Sequence, residues 1–429
     1  MKRFMSLIVT GLVGLTLISG IAFAGQEIKL LMEAVPDTFI IKDLLPEFEK
    51  ETGIKVKFEI VNYAQMHAKL LPQLVSSKGS YDAIVVDNYW AGEFPAAGWL
   101  VPLDEYVEKT PAIDISAYLP SMLDMVGYWR GKLYMLPFYN YAMCLIYRTD
   151  MMEDPELQAE YQAQYGEPLS ISRSVEDYVK LCKFMTREYK GKKIYGSSMQ
   201  GLKPDPIVME WSNYLFSLGG DYYNEKWHPI INNEAGVESV KLYGENIAKG
   251  APPGSPGYGF DEAYHMVAEG NAFSYITYNW MLPELNDVEK SKVAGKVDIE
   301  PMPGGIGLNG GWGWAIPNSS PDKEAAWKFI SWVESFPIAK RRALIGGSPT
   351  RYDVFTSYDV VKKYPWYPKV MWIVGTAKPV PEFLYSTQMI EVVGRELSLA
   401  VGGKDPQAAM DDAAKELEEL AKRAGIYVK

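Results

Sequence analysis

Two cysteines and three histidines in a chain of 429 residues leave little for a disulfide framework or a metal cluster to be built from. With only Cys144 and Cys182 there is no disulfide framework. The two could pair with each other in an oxidising compartment, but Cys144 sits in an apolar strand-like run and Cys182 on an amphipathic helical pattern, which reads as two buried, unpaired thiols. His67, His228 and His265 are far apart and none lies at a metal-ligand spacing, so no metal is expected. Positive charge is also in deficit. The formal charge is −11 and there is no basic run, which speaks against nucleic acid or anionic lipid as a partner. There is no internal repeat and no low-complexity segment, and past the N-terminus no apolar run is long enough to cross a bilayer.

The N-terminus is the exception. Lys2 and Arg3 precede an apolar run over residues 7–17, and Ala22-Phe23-Ala24 fits a small-x-small cleavage site, the pattern of a secretory signal peptide over residues 1–24. Residues 4–24 are also just long enough to span a bilayer, so an uncleaved anchor remains the alternative. The cleavage region contains no cysteine, which argues against a lipid-modified N-terminus. Beyond the leader, an acidic, exported chain is too long for one ordinary core and suited to two domains.

Glu27–Glu33 reads as a strand, 40–52 as a helix stopped by Gly53, Lys55–Val61 as a second strand, 64–77 as a helix and 81–87 as a third strand. This rhythm is that of parallel α/β structure, whose ligands bind beyond the strand C-terminal ends, where Asp87-Asn88-Tyr89-Trp90 falls. The run LYMLPFYNYAMCLIYR over 133–148 is extended and long enough to cross from one domain to the next. Helical patterns come next at 175–189, capped by Ser172 or Ser174, and at 206–218, 235–249 and 259–269, with a Pro/Gly loop at 251–257 and strand character at 272–278. Residues 321–332 and 406–425 are amphipathic helices.

Gly305-Ile306-Gly307-Leu308-Asn309-Gly310 has the letters of a dinucleotide fingerprint, but prolines precede it and an apolar strand comes after it, so no phosphate site is expected. No nucleophile-elbow pattern is present. The chain is instead rich in aromatics, with 12 Trp and 29 Tyr. Five clusters set a ring beside an amide, a carboxylate or bare backbone: 87–90, 138–141, 210–213 around Trp211, 278–280 and Gly311-Trp312-Gly313-Trp314. Sugars need that combination, because their hydroxyls want fork-like acceptors and donors while their C–H faces lie flat on rings. In the last cluster alternation puts Trp312 and Trp314 on one strand face and the glycines on the other, leaving a cleft wall or a core pair as the two readings.

Several segments then combine: the leader, LPEFEKETGIKV at 45–56, YDAI at 81–84 with Trp90, AGWLVPLD at 97–104, YMLPF at 134–138, LIYRTD at 145–150, and GGWGWAIPNSSPDKEAAWKFISWV at 310–333. In this order they resemble the extracellular solute-binding proteins of ABC importers, in particular the carbohydrate-binding group with its maltose-type and polyol-type receptors. The resemblance implies an α/β, two-lobed type II periplasmic-binding-protein fold, with a ligand cleft between lobes joined by crossing strands. Lobe one would comprise 25–139 and 301–336, and lobe two 140–300 and 337–429. It implies a monomeric, non-enzymatic receptor without cofactor, working with ABC permease membrane subunits on a small-molecule carbohydrate. Glu33, Tyr63, Asp87 and Trp90 would be first-lobe contacts, with Tyr139 and Tyr141 at the crossover. Asn279 and Trp280 would act from the second lobe, with Trp312 facing the ligand, Arg351 on a cleft loop, and Trp211 from its own cluster. A secreted carbohydrate-active enzyme, or the same fold carrying a non-sugar solute, are the alternatives.

Overall fold

The computed structural model describes residues 25–428; the leader expected at 1–24 lies outside them. Among the described residues no helix is long and apolar enough to cross a membrane.

Eight strands organise two sheets. They are β1 (Glu27–Glu33), β2 (Lys55–Val61), β3 (Ala83–Asp87), β4 (Leu136–Asn140), β5 (Met143–Arg148), β6 (Ser274–Tyr278), β7 (Val297–Glu300) and β8 (Gly311–Ala315). The first sheet has the order β2-β1-β3-β8-β4; β1, β2 and β3 are parallel, and β8 runs antiparallel to both of its neighbours. The second has the order β6-β5-β7 with antiparallel pairings.

Local sequence explains the first crossover. Pro36 occupies the first turn of the Pro36–Thr52 helix, where a missing N–H costs nothing, so the helix begins earlier than the apolar stripe alone suggests. Ile41, Leu44, Leu45 and Phe48 bury one face, and Gly53 stops the helix at φ 75° with its N–H on the Glu49 carbonyl. β2 starts two residues later. In the second lobe the Ser174 hydroxyl accepts the Asp177 N–H and caps the Val175–Met185 helix.

The lobes are joined where β4 leaves one sheet and β5 enters the other, with only Tyr141 and Ala142 between them. A returning strand runs alongside: the Tyr141 N–H donates to the Gly310 carbonyl at 2.7 Å and the Met143 N–H to the Leu308 carbonyl at 2.8 Å. Residues 305–310 are thus part of the crossing and open no helix.

The glycines of the Gly-Trp-Gly-Trp run serve packing. A Cβ on Gly311 would stand 2.7 Å from the Met122 methyl, and one on Gly313 2.8 Å from the Met135 Cβ and 3.0 Å from the Val126 carbonyl. β8 therefore lies directly on the Pro120–Val126 helix and the Met135 segment on its glycine side, and both indoles project from the other face. Trp314 is fully buried, 4.2 Å from the Phe138 ring and edge-on to Phe329, with its indole N–H on Glu334 Oε1 at 2.8 Å.

The segment after residue 336 does not return directly to the second lobe. Helix Phe336–Leu344 packs on Pro36–Thr52 and on Lys323–Val333 of the first lobe, and Tyr367–Thr376 packs on Pro120–Val126. Lys369 of that second helix also donates to the Ile299 carbonyl of β7 at 2.7 Å, and Ser386–Val401 and Pro406–Arg423 settle against Asp205–Ser217 and Glu234–Lys249 in the second lobe. Cys144 and Cys182 are free and buried; the Cys144 thiol donates to the Thr277 carbonyl at 3.4 Å, and burial pushes the Cys182 thiol up to about 12.

Candidate functional site

The ends of the first-sheet strands converge on the crossover. Glu33 ends β1, Asp87 ends β3, and Tyr63 opens the helix that comes after β2. Trp312, near the start of β8, is in register with Asp87 on one side and Tyr139 on the other. The Tyr139 hydroxyl donates to Glu33 Oε2 at 2.6 Å, tying the sheet's two sides together across the site.

From these positions a continuous band of rings runs into the second lobe. Trp90 stacks on Tyr63 with centroids 6.1 Å apart and planes 9° from parallel. Trp312 meets both edge-on, at 5.5 Å from Trp90 and 6.1 Å from Tyr63, and lies 6.0 Å from Tyr139. Tyr139 stacks on Tyr141 at 4.5 Å, and Tyr141 reaches Trp280 at 5.4 Å and Tyr278 at 6.0 Å. Phe260 closes the band against Trp280 at 5.5 Å. Asn279 anchors the crossover by donating through Nδ2 to Asn140 Oδ1 at 2.8 Å; its own Oδ1 is buried without a partner.

Trp211 and Arg351, expected in this group, are placed elsewhere. Trp211 is fully buried within the second lobe, where its indole N–H donates to Ser239 Oγ at 2.9 Å and its ring meets Tyr222 edge-on. Arg351 is 3 % exposed and its donors are committed: a fork onto Asp353 at 3.0 and 2.7 Å, and Nη1 on the Glu334 carbonyl at 3.1 Å. It locks the 346–351 loop instead of facing the cleft. Beside it Arg342 pairs with Glu334 at 2.6 Å and donates to the Phe138 carbonyl at 2.9 Å, a buried clamp beneath the crossover.

The structure adds residues that the sequence reading did not single out. Tyr89 crosses the cleft and its hydroxyl donates to the Met209 sulfur, while the Asn88–Trp90 turn touches the Ser386–Val401 helix, so the lobes are in contact. Asp205, at the start of its helix, and Glu382, just before Ser386–Val401, bring second-lobe carboxyls toward Asp87. Both are remote from Asp87 in sequence and no local pattern marks them. Tyr278 and Asp37 also border the site.

Burial governs the electrostatics. Desolvation raises the Glu33 carboxyl to about 7, opposed by the Tyr139 hydrogen bond and assisted by Asp37. Burial raises Asp37 to about 6, against the pull of Arg342. Asp87 is pushed well above the usual range by burial, with Glu33 and Asp205 adding to it, and Glu382 by burial and by Asp87. Chemically, the site offers carboxyl and amide acceptors beside ring faces. Among the described residues no group of three or more His, Cys, Asp or Glu side chains is arranged to hold a metal ion.

Residues 33–335 match the family model for the bacterial extracellular solute-binding protein. The chain belongs to this family. A crystal structure of an ABC transporter solute-binding protein from Agrobacterium radiobacter K84 in complex with ribitol superposes with a TM-score of 0.81 and 28 % identity, covering 92 % of this chain and 99 % of that one. A probable amino-acid ABC transporter periplasmic-binding protein of Sinorhizobium fredii is 24 % identical over 95 % of this chain and 92 % of its own length. The mannitol-binding protein of Pseudomonas aeruginosa is 24 % identical over 67 % of this chain and 64 % of its own. The two-lobed α/β architecture is thus that of the family, whose members capture solutes outside the cytoplasm and work with ABC permeases.

Proposed function

We propose that this solute-binding protein captures a polyhydroxy solute, a sugar, short oligosaccharide or sugar alcohol, between its lobes and delivers it to an ABC permease. The observation that carries the reading is the ring band from Trp90 to Trp280, which passes the Glu33–Tyr139 pair where the lobes join. Rings supply flat contact for C–H faces, and the acids and amides accept hydroxyl hydrogen bonds. The ribitol complex of one relative and the mannitol-binding name of another support it.

The amino-acid designation of the Sinorhizobium relative does not transfer well. An α-carboxylate needs a cation, and the guanidiniums near the crossover are spent on Glu334 and Asp353. In this reading the chain is exported by its leader and acts as a monomer. Residues 25–139 and 301–336 form the core of one lobe and 140–300 that of the other, with helix Phe336–Leu344 added to the first and helices Ser386–Val401 and Pro406–Arg423 to the second, hinged where β4 passes to β5. Ligand bridging the lobes shifts the population toward the closed form that docks on the permease, and no bond of the ligand changes.

A thermal-shift screen against sugars, alditols, short oligosaccharides and amino acids tests it. A ligand at about a hundred times its dissociation constant stabilises the fold by roughly 2.7 kcal/mol, which is readily visible. A carbohydrate or polyol hit recovered intact supports the receptor; turnover of a glycoside replaces it with an enzyme. A shift from amino acids alone overturns the cargo class.

A further inference from the structure

The ring band ends at a small pocket. Trp280, whose ring meets Tyr141 at 5.4 Å and Phe260 at 5.5 Å, also walls this pocket together with Asn279, with Ser348 and Pro349 of the 346–351 loop, and with Trp366 and Tyr367. The pocket has room for about one water-sized group.

Two polar atoms of these walls are buried without a partner, and they are of opposite sense. The hydrogen-bond chain behind Asn279 fixes which way its amide points. The Pro349 carbonyl can only accept, so Asn140 donates to it through Nδ2 and is left with Oδ1 toward Asn279. Asn279 therefore donates to that oxygen through its own Nδ2, at 2.8 Å, and the atom it has to spare is the acceptor Oδ1. The Trp280 indole nitrogen can only donate, and its N–H finds no acceptor. Asn279 is 5 % exposed and the Trp280 nitrogen is itself buried, so bulk water satisfies neither. The group that completes the pocket must accept from an N–H and donate to a carbonyl within the space of one heavy atom. A hydroxyl does both with a single oxygen. A carboxylate or keto oxygen lacks the donor, an ammonium lacks the acceptor, and an amide carries both only on two separate atoms.

We propose that this pocket is a subsite for one primary hydroxyl of the solute, the CH2OH end of an alditol or the hydroxymethyl arm of a sugar, whose oxygen accepts from Trp280 Nε1 and donates to Asn279 Oδ1. A hydroxyl on a chain end or an exocyclic arm can reach past the edge of Trp280, whereas those on the body of the solute stay beside the ring faces that cover its C–H groups. The inference rests on the polyhydroxy reading and narrows it to solutes with a free primary hydroxyl. In the unliganded protein a single water fills the same place, and the solute hydroxyl takes over its two hydrogen bonds.

The test is titration calorimetry on the purified protein with pairs that differ only at the chain ends: mannitol against 1,6-dideoxymannitol, ribitol against 1,5-dideoxyribitol, and glucose against 6-deoxyglucose. Removing both ends of an alditol prevents it from turning round to present the other. The hydroxyl member of the preferred pair is expected to bind at least about tenfold more tightly, because the deoxy member leaves a buried donor and a buried acceptor unpaired. Trp280→Phe keeps a ring in the band and removes the N–H, so it is expected to shrink that preference several-fold; loss of stacking alone would weaken both members equally and leave the preference intact. Equal binding of the two members by the wild-type protein, or a preference that Trp280→Phe leaves unchanged, overturns the inference and leaves the polyhydroxy reading standing. Absence of binding by every member of all three pairs overturns that reading, and the inference with it.

Discussion

Replacing Glu33 by Gln should flatten the dependence of stability on pH. Glu33 is 8 % exposed, and burial lifts its carboxyl from 4.5, the ordinary glutamate value, to about 7 even though Tyr139 donates to it at 2.6 Å. The folded chain therefore holds this proton more tightly than the unfolded chain does. The stabilisation is fully present below 4.5 and is lost as pH rises through about 7. A shift of this size corresponds to about 3 kcal/mol at one pKa unit per ~1.4 kcal/mol, an upper bound because the cleft can open to rehydrate the group. Glutamine has no proton to lose, and its amide oxygen can still accept the Tyr139 hydroxyl. Asp37, raised to about 6, titrates with the same sign in both proteins, so the difference between them reports Glu33 together with its coupling to Asp37. Urea unfolding of the two proteins, monitored from about pH 5 to about pH 8, should show wild type losing up to about 3 kcal/mol relative to the variant. Parallel profiles would refute the argument that desolvation of Glu33 dominates its environment.

Trp280→Ala and Trp312→Ala should each weaken ligand binding by about 1–3 kcal/mol in titration calorimetry, because both indoles belong to the cleft band. Trp211→Ala should instead lower the unfolding free energy by roughly 3–5 kcal/mol and leave the affinity of the folded fraction unchanged, since that ring is core; an affinity loss there would return it to the site. Gly313→Ala puts a Cβ 2.8 Å from Met135 Cβ and 3.0 Å from the Val126 carbonyl. It should cost about 1–3 kcal/mol in urea unfolding, and an unchanged midpoint would mean that β8 does not lie so close to its neighbours. Cys144 and Cys182 should resist a thiol reagent in the native protein and both react in denaturant; rapid native labelling would contradict their burial.

Local pattern carried much of this molecule. β1 and β2 have the bounds that apolar alternation and Gly53 mark, Ser174 caps its helix, and the extended run 133–148 does cross between sheets. These features arise from side-chain period, capping chemistry and the conformational freedom of glycine, all of which act over a few residues. The family was legible for the same reason, being written as short segments in a fixed order.

Which rings and charges face the cleft was decided only in three dimensions. Alternation put Trp312 and Trp314 on one face, but depth along β8 separates them: Trp312 joins Tyr63 and Trp90 at the cleft end, while Trp314 meets Phe138, Phe329 and Glu334 in the core. Trp211 looked like its neighbours in the aromatic clusters, and a helix of the second lobe buried it. Arg351 sat on a loop that suggested ligand contact, until Asp353 and the Glu334 carbonyl took its donors. Asp205 and Glu382 reach Asp87 only because the second lobe folds over the first. A core and a sugar-binding cleft both call for aromatics with polar neighbours, so composition cannot distinguish them. Contacts between distant segments can, because they determine which polar atoms are left unpaired where the lobes meet.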